Sequence, residues 1–205
     1  MAPRLAPVNT VPYGATMSRD RLSPEDWIAA AFRRLGQGGI GAVRAEAIAR
    51  DLGVSKGSFY WHFKDLPDLK ARMLAHWLDQ ATARIVALAD AGGSDPARRL
   101  DRLLELATGD LAEPYGGLST EAAIRDWART DPEASAAQAQ ADRARGAYLE
   151  GLLAAMGVDR ARAAQAARLI LMAYTGAVHQ GIRDRAQLAG DLAALTAALL
   201  SRSGR

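Results

Sequence analysis

The 205 residues contain no cysteine. That excludes a disulfide framework, a thiolate nucleophile and any cysteine-ligated zinc or iron–sulfur centre. Lysines number three, histidines three, and aromatic residues make up only 6% of the chain. No apolar run approaches the roughly 18 residues that a bilayer-crossing helix needs. The first 22 residues lack the apolar stretch of a secretory signal, so a cytoplasmic protein without a membrane partner is expected. HExxH, GxSxG, Walker and dinucleotide-binding signatures are missing as well. The acids Glu25 and Asp26 are adjacent at a helix start, where capping accounts for them better than acid–base chemistry. His76 and His179 stand alone on helical stretches. No catalytic residue, no metal ligand and no cofactor is expected, and the chain does not read as an enzyme.

What is abundant is alanine, at 45 residues. Alanine is the strongest helix former, so the fold class is all-α. The net charge of +3 is unevenly placed. Residues 1–80 hold 11 basic against 8 acidic residues, whereas residues 81–205 hold 15 of each. All three lysines, Lys56, Lys64 and Lys70, lie within 15 positions. The basic excess therefore belongs to the N-terminal part and points to an acidic partner there.

The chain divides into an arm (1–20), a small head (21–66) and a large body (67–205). Pro3, Pro7, Pro12 and Gly14 give the arm no hydrophobic period, and Met17 offers an alternative start. Ser23-Pro24-Glu25-Asp26 predicts the first helix, with a serine cap, proline in the first turn and an acid placed for a capping box. Leu22 and Trp27 are set to form a hydrophobic staple. Trp27, Ile28, Ala31, Phe32 and Leu35 form its apolar face, and Gly36 to Gly39 end it. A short second helix follows through Val43, Ala47, Ile48 and Leu52. A third is predicted from Ser55, with Phe59 and Phe63 on its buried side. The Leu52-Gly53-Val54 break between them has the length and glycine of a helix-turn-helix. Asp65 caps a long fourth helix running to about Ala89, about 36 Å at 1.5 Å per residue. Five further helices are predicted at 95–112, 119–129, 132–156, 159–183 and 186–202, making about nine in all.

The segment Leu-Gly-Val-Ser-Lys-Gly-Ser-Phe-Tyr-Trp-His-Phe-Lys (52–64) concentrates four aromatics, two lysines and no acid. With Phe59 and Phe63 turned inward, Lys56, Gly57, Tyr60, Trp61 and Lys64 lie on other faces. Hydroxyl and ammonium groups beside a helix start suit phosphate oxygens. A glycine there permits close approach to base edges in a major groove. The run 47–64, followed by Asp-Leu and a long amphipathic helix, resembles the DNA-binding head of the tetracycline-repressor (TetR) family over about residues 21–75. The order of Gly53, Gly57, Tyr60, His62 and Phe63 carries the resemblance. The stretch Ala-Ile-Arg-Asp-Trp-Ala-Arg (123–129) is also similar to one large branch of that family.

The resemblance implies a homodimeric transcriptional regulator, commonly a repressor that leaves a palindromic operator when a small apolar or amphipathic molecule binds. DNA contacts are expected from Arg44, Ser55, Lys56, Gly57, Ser58, Tyr60, Trp61, His62 and Lys64. Arg44 stands where many members have a capping threonine, and Leu66 where many have a basic residue. A ligand cavity is expected among Trp77, Leu103, Leu106, Leu111, Ile124, Trp127, Tyr148, Leu152 and Tyr174. Leu188, Leu192, Leu195 and Leu199, with the small-residue face Ala163, Ala166, Ile170, Ala173 and Ala177, are expected to form a four-helix dimer interface. The competing reading is an all-α small-molecule-binding protein or enzyme that has kept the head and lost operator binding.

Overall fold

The computed structural model describes residues 22–109, 117–182 and 184–201. The N-terminal arm and the predicted pocket residue Leu111 lie outside them. Among the described residues the chain forms helices and no strand.

The first helix, α1 (Pro24–Gly38), begins on the predicted capping box. The Asp26 amide donates to Ser23 Oγ at 3.3 Å, and the Ser23 amide donates to an Asp26 carboxylate oxygen at 2.7 Å. Helix α2 (Ala45–Asp51) starts at Arg44, whose side chain makes no cap and donates instead to the Gly41 carbonyl at 2.9 Å. Gly53 takes a left-handed φ of 68° in the turn after it, a conformation glycine adopts without steric cost. The third predicted helix is a six-residue 3₁₀ segment, Lys56–Trp61. Ser55 makes no cap to a backbone amide, Gly57 is a poor helix former, and three consecutive aromatics follow it, so no regular α-turn is favoured locally.

Helix α3 (Leu66–Leu78), a π-turn (Asp79–Ala83) and α4 (Arg84–Asp90) form the predicted long helix. Asp65 caps it through the Asp68 amide at 2.9 Å. The π-turn has a visible cause: the Arg145 guanidinium donates to the Ala81 carbonyl at 3.2 Å and to Thr82 Oγ1 at 3.2 Å. A side chain inserted at the ladder is a recognised origin of such bulges.

The body adds α5 (Pro96–Thr108), α6 (Gly117–Trp127), α7 (Pro132–Ala155), α8 (Arg160–His179) and α9 (Arg185–Ser201). Asp95 and Asp131 each cap a helix whose first turn contains proline, the arrangement expected of Asp-Pro at a helix start.

Two apolar cores hold these elements. The first joins Trp27, Phe32, Leu35, Ile48, Phe59, Phe63, Leu69 and Met73 of the head and α3 to Ile124 and Trp127 of α6 and to Ala134, Ala137 and Ala141 of α7. The packing of the head therefore continues into the body across residue 66. At Gly36 an added Cβ would lie 2.9 Å from Ser119 Oγ, so α1 and α6 touch almost backbone to side chain. The second core packs Leu100 and Leu104 of α5, Leu149, Leu152 and Leu153 of α7, and residues of α8 and α9.

That second core takes up much of the expected dimer seam. Ala163, Ala166, Ile170, Leu188 and Leu192 are buried in the chain's own interior. Ala173, Ala177 and Leu199 pack against the same core, and Leu195 is half-buried. The leucine and alanine stripes serve the intramolecular packing of α8 and α9 because the α5 leucines, which no sequence pattern pairs with them, fill the opposite side. The exposed apolar residues of these helices are others: Leu169 and Met172 on α8, and Ala193, Ala194, Ala197 and Ala198 on α9.

Candidate nucleic-acid interface and body cavity

The head presents its aromatic and basic side chains outward from the 3₁₀ segment. Phe59 and Phe63 are buried and stacked with centroids 5.3 Å apart, which anchors the segment to Trp27. Tyr60 is 58% exposed and Trp61 88% exposed. An 88% exposed tryptophan contributes little to its own fold. Ser55, Lys56, Gly57, Lys64 and Arg44 are exposed. Ser58 is half-buried beside Ser55, their hydroxyls 3.4 Å apart. His62 turns partly inward, its ring 6.1 Å from that of Trp27. A Cβ at Gly57 would meet nothing closer than Ser55 Oγ at 3.6 Å, so the protein's own packing does not demand glycine there.

One feature of this surface is visible only in three dimensions. The Lys56 ammonium is paired with the Glu46 carboxylate of α2. That hydrogen bond and charge hold the Glu46 carboxyl below its ordinary pKa and the Lys56 ammonium above its own. Both groups are half-exposed, so the pair is readily exchanged for a stronger anion.

In the body a cavity of about 120 Å³ opens among α3, the π-turn, α4, α5, α6, α7 and α8. An apolar cavity of ~150 Å³ admits benzene, so this volume suits a small organic molecule. Five of the expected lining residues are there: Trp77, Leu103, Leu106, Tyr148 and Tyr174. Three are not. Ile124 and Trp127 are buried in the head-side core, and Leu152 in the second core. Each lies on an apolar helix face, and the sequence does not say which apolar residues border a void and which fill one. Phe32 of α1 also lines the cavity, so the head itself forms part of the wall. His76 is another lining residue, and burial pushes its imidazole below the usual pKa, with Asp79 and Glu25 opposing the shift.

A buried ionic network forms one wall. Glu121 Oε1 accepts from Arg145 at 2.8 Å and from Arg125 Nε at 3.0 Å. Glu121 Oε2 accepts from Arg145 at 3.1 Å and from Trp77 Nε1 at 3.2 Å. Arg125 then clasps Asp142 through two bonds of 3.1 and 2.6 Å, and the Arg145 guanidinium lies 5.3 Å from the Trp77 ring centroid. Burial alone would raise the Glu121 pKa, but the guanidinia of Arg145 and Arg125 outweigh it and the net shift is downward. The signal in the sequence was an acid and a base four apart, Glu121 and Arg125, on a helix face otherwise buried. Tyr148 donates to Asp90 at 2.7 Å, and burial with that bond raises its pKa to about 12.

Residues 28–69 match the model of bacterial regulatory proteins of the tetR family. No curated protein matches the chain. Among solved structures, a transcriptional regulator from Rhodococcus sp. Rha1 is similar with a TM-score of 0.71 and 22% identity, over 88% of this chain and 97% of that one. A TetR transcriptional regulator from Legionella pneumophila gives a TM-score of 0.68 at 15% identity, over 84% and 96% of the two chains. The fatty acid degradation regulator FadR from Bacillus halodurans gives 0.65 at 16% identity, over 89% and 96%. Identities of this size speak for the fold, and the matched head segment coincides with the helix-turn-helix elements described above. The head, over residues 28–69, is thus similar to the tetR family of bacterial regulatory proteins, and the chain as a whole shares the fold of these solved regulators.

Proposed function

We propose that the protein is a homodimeric, non-enzymatic DNA-binding repressor whose operator affinity falls when a small molecule occupies the body cavity. The observation that carries the DNA-binding part is the outward display of Tyr60 and Trp61 beside Lys56, Gly57 and Lys64 on a segment anchored by buried Phe59 and Phe63. Phosphate contacts from hydroxyl, ammonium and backbone groups position such a segment, and the open space around Gly57 lets it approach base edges.

Tyr60→Phe keeps the ring and removes one phosphate hydrogen bond, which is expected to cost about 1 kcal/mol of DNA binding. Lys56→Ala is expected to weaken binding and lower the slope of log affinity against log salt by about one. Glu46→Gln is expected to act in the opposite direction and raise affinity a few-fold, because it frees the Lys56 ammonium and removes a charge that repels phosphate. Fluorescence anisotropy at several salt concentrations reads all three. Unchanged affinity in both Tyr60→Phe and Lys56→Ala, with folding intact, contradicts the assignment of this segment as the recognition element.

Dimerisation is the second part of the proposal. Four large apolar side chains are exposed among the described residues, Tyr60, Trp61, Leu169 and Met172. The first two belong to the head surface just described, and the second two lie together on α8. With the alanine-rich exposed side of α9, they form the face that a second copy would cover.

The third part is ligand response. Trp77 and Ile85, at either side of the π-turn, both line the cavity, and α6 runs from the cavity wall to contact with α1. A ligand that favours one arrangement of these helices over the other by about 1–3 kcal/mol shifts the spacing of the two heads by ordinary linkage.

A further inference from the structure

We infer that the molecule this cavity takes is uncharged, about one ring in size, and carries a single oxygen acceptor that the Tyr174 hydroxyl binds. The inference rests on the reading of the cavity as the effector site and narrows it to a chemical class.

Most polar groups on the wall already have partners. All four acceptor positions of the Glu121 carboxylate are used by Arg145, Arg125 and Trp77. A carboxylate offers about four such positions, so Glu121 has no capacity left for a ligand donor. Thr82 Oγ1 accepts from Arg145, the Tyr148 hydroxyl donates to Asp90, and the Gln80 side chain is held between Asp79 and Arg84. Tyr174 differs from these. It lines the cavity, and its hydroxyl has no hydrogen-bond partner among the described residues. Burial, with the Glu121 charge nearby, holds the phenol well above its ordinary pKa, against a smaller opposing effect of Arg145 and Arg125. The group therefore remains an O–H donor through the physiological range. The hydroxyl is open to the cavity, so an acceptor that enters gains a hydrogen bond from it.

Charge decides the rest. The network holds two carboxylates, Glu121 and Asp142, against two guanidinia, Arg125 and Arg145, so the deep wall is neutral as it stands. A carboxylate ligand beside Tyr174 would face Glu121 without an unpaired cation to balance it, and an ammonium ligand would face Arg145 without a free anion. Both would be buried charges lacking a partner. The remaining lining is apolar, from Trp77, Leu103, Leu106 and Ile170 among others. A ketone, ester or ether oxygen on a small apolar body satisfies every one of these conditions. The contrary case is an anion held at the mouth, where Arg84 is exposed and makes no ion pair among the described residues.

The test is isothermal titration of the full chain with four one-ring probes: acetophenone, toluene, benzoate and benzylammonium. Acetophenone is expected to bind at least tenfold more tightly than either charged probe. Tyr174→Phe is expected to weaken acetophenone five- to tenfold and leave toluene unchanged, with the melting temperature confirming an intact fold. Benzoate as the tightest probe, with its binding lost in Arg84→Gln, overturns the uncharged class while leaving the cavity as a ligand site. Acetophenone binding that Tyr174→Phe does not alter overturns the role of the hydroxyl. Failure of all four probes to bind the wild type, while it still binds DNA, overturns both this inference and the ligand-response reading.

Discussion

Arg145→Met is expected to lower the unfolding free energy by about 3–5 kcal/mol, the usual cost of stranding a buried carboxylate. Glu121 is 4% exposed, and Arg145 supplies half of its hydrogen bonds. The same substitution removes the donors to Ala81 and Thr82 that accompany the π-turn. The double variant Glu121→Leu/Arg145→Met takes both charges away together and is expected to recover most of the loss, since an apolar pair of similar volume is often as stable as the ion pair it replaces. Urea denaturation of the two variants beside the wild type measures this. If Arg145→Met alone costs less than about 1 kcal/mol, a value typical of exposed pairs, the network does not have the buried character described.

The sign of the pH dependence follows from the same site. The folded-state pKa of Glu121 lies below its ordinary value. Its contribution is therefore fully present above about pH 4.5, the ordinary range of a glutamate carboxyl, and is lost as the pH falls through the lower folded value. The wild type is expected to lose stability more steeply on acidification than Glu121→Leu/Arg145→Met.

Met172→Glu is expected to split the dimer and reduce operator affinity by about 10²-fold or more, the range that tethering two binding modules supplies. Two heads must be held roughly 34–36 Å apart to enter successive major grooves on one face of the duplex. A single head makes only a few base contacts. Met172 is 64% exposed in the isolated chain, so a glutamate there is harmless to the protomer and costly only where a second copy covers it. Leu195→Glu serves as the contrast, because Leu195 is half-buried within the protomer and a charge there is expected to disturb folding as well as association. Sedimentation velocity at micromolar concentration separates the two. A Met172→Glu protein that remains dimeric moves the interface elsewhere.

How far the sequence could be read depended on the kind of information each feature needs. The helix starts were legible because caps are local: Ser23 with Asp26, Asp65 before Pro67, Asp131 before Pro132. The inward turn of Phe59 and Phe63 and the outward turn of Tyr60 followed from helical spacing, even though the segment is 3₁₀ and not α. The π-turn was not legible, because its cause is a guanidinium more than sixty residues away. The cavity wall was only partly so. Trp77 and Tyr174 line it, whereas Ile124 and Trp127 sit one layer aside in solid packing, and amphipathic periodicity marks a buried face without distinguishing the two. The leucine seam of α9 is ambiguous for a similar reason: a stripe at spacings of three and four announces a helical partner but does not say whether that partner belongs to the same chain. Glu121 and Arg145, 24 residues apart, become a pair only in three dimensions.

The central claim is that the head reads DNA through Lys56, Tyr60 and Trp61. Its most direct test is an anisotropy titration of the full chain with duplex fragments flanking its own gene, against scrambled duplexes of equal length at matched salt. The account predicts a preferred fragment bound roughly 10³-fold or more tightly than scrambled DNA, with the preference reduced when Trp61 is replaced by alanine. Equal affinity for all duplexes at every salt concentration, or a preference that survives the loss of Lys56, Tyr60 and Trp61 together, would contradict it.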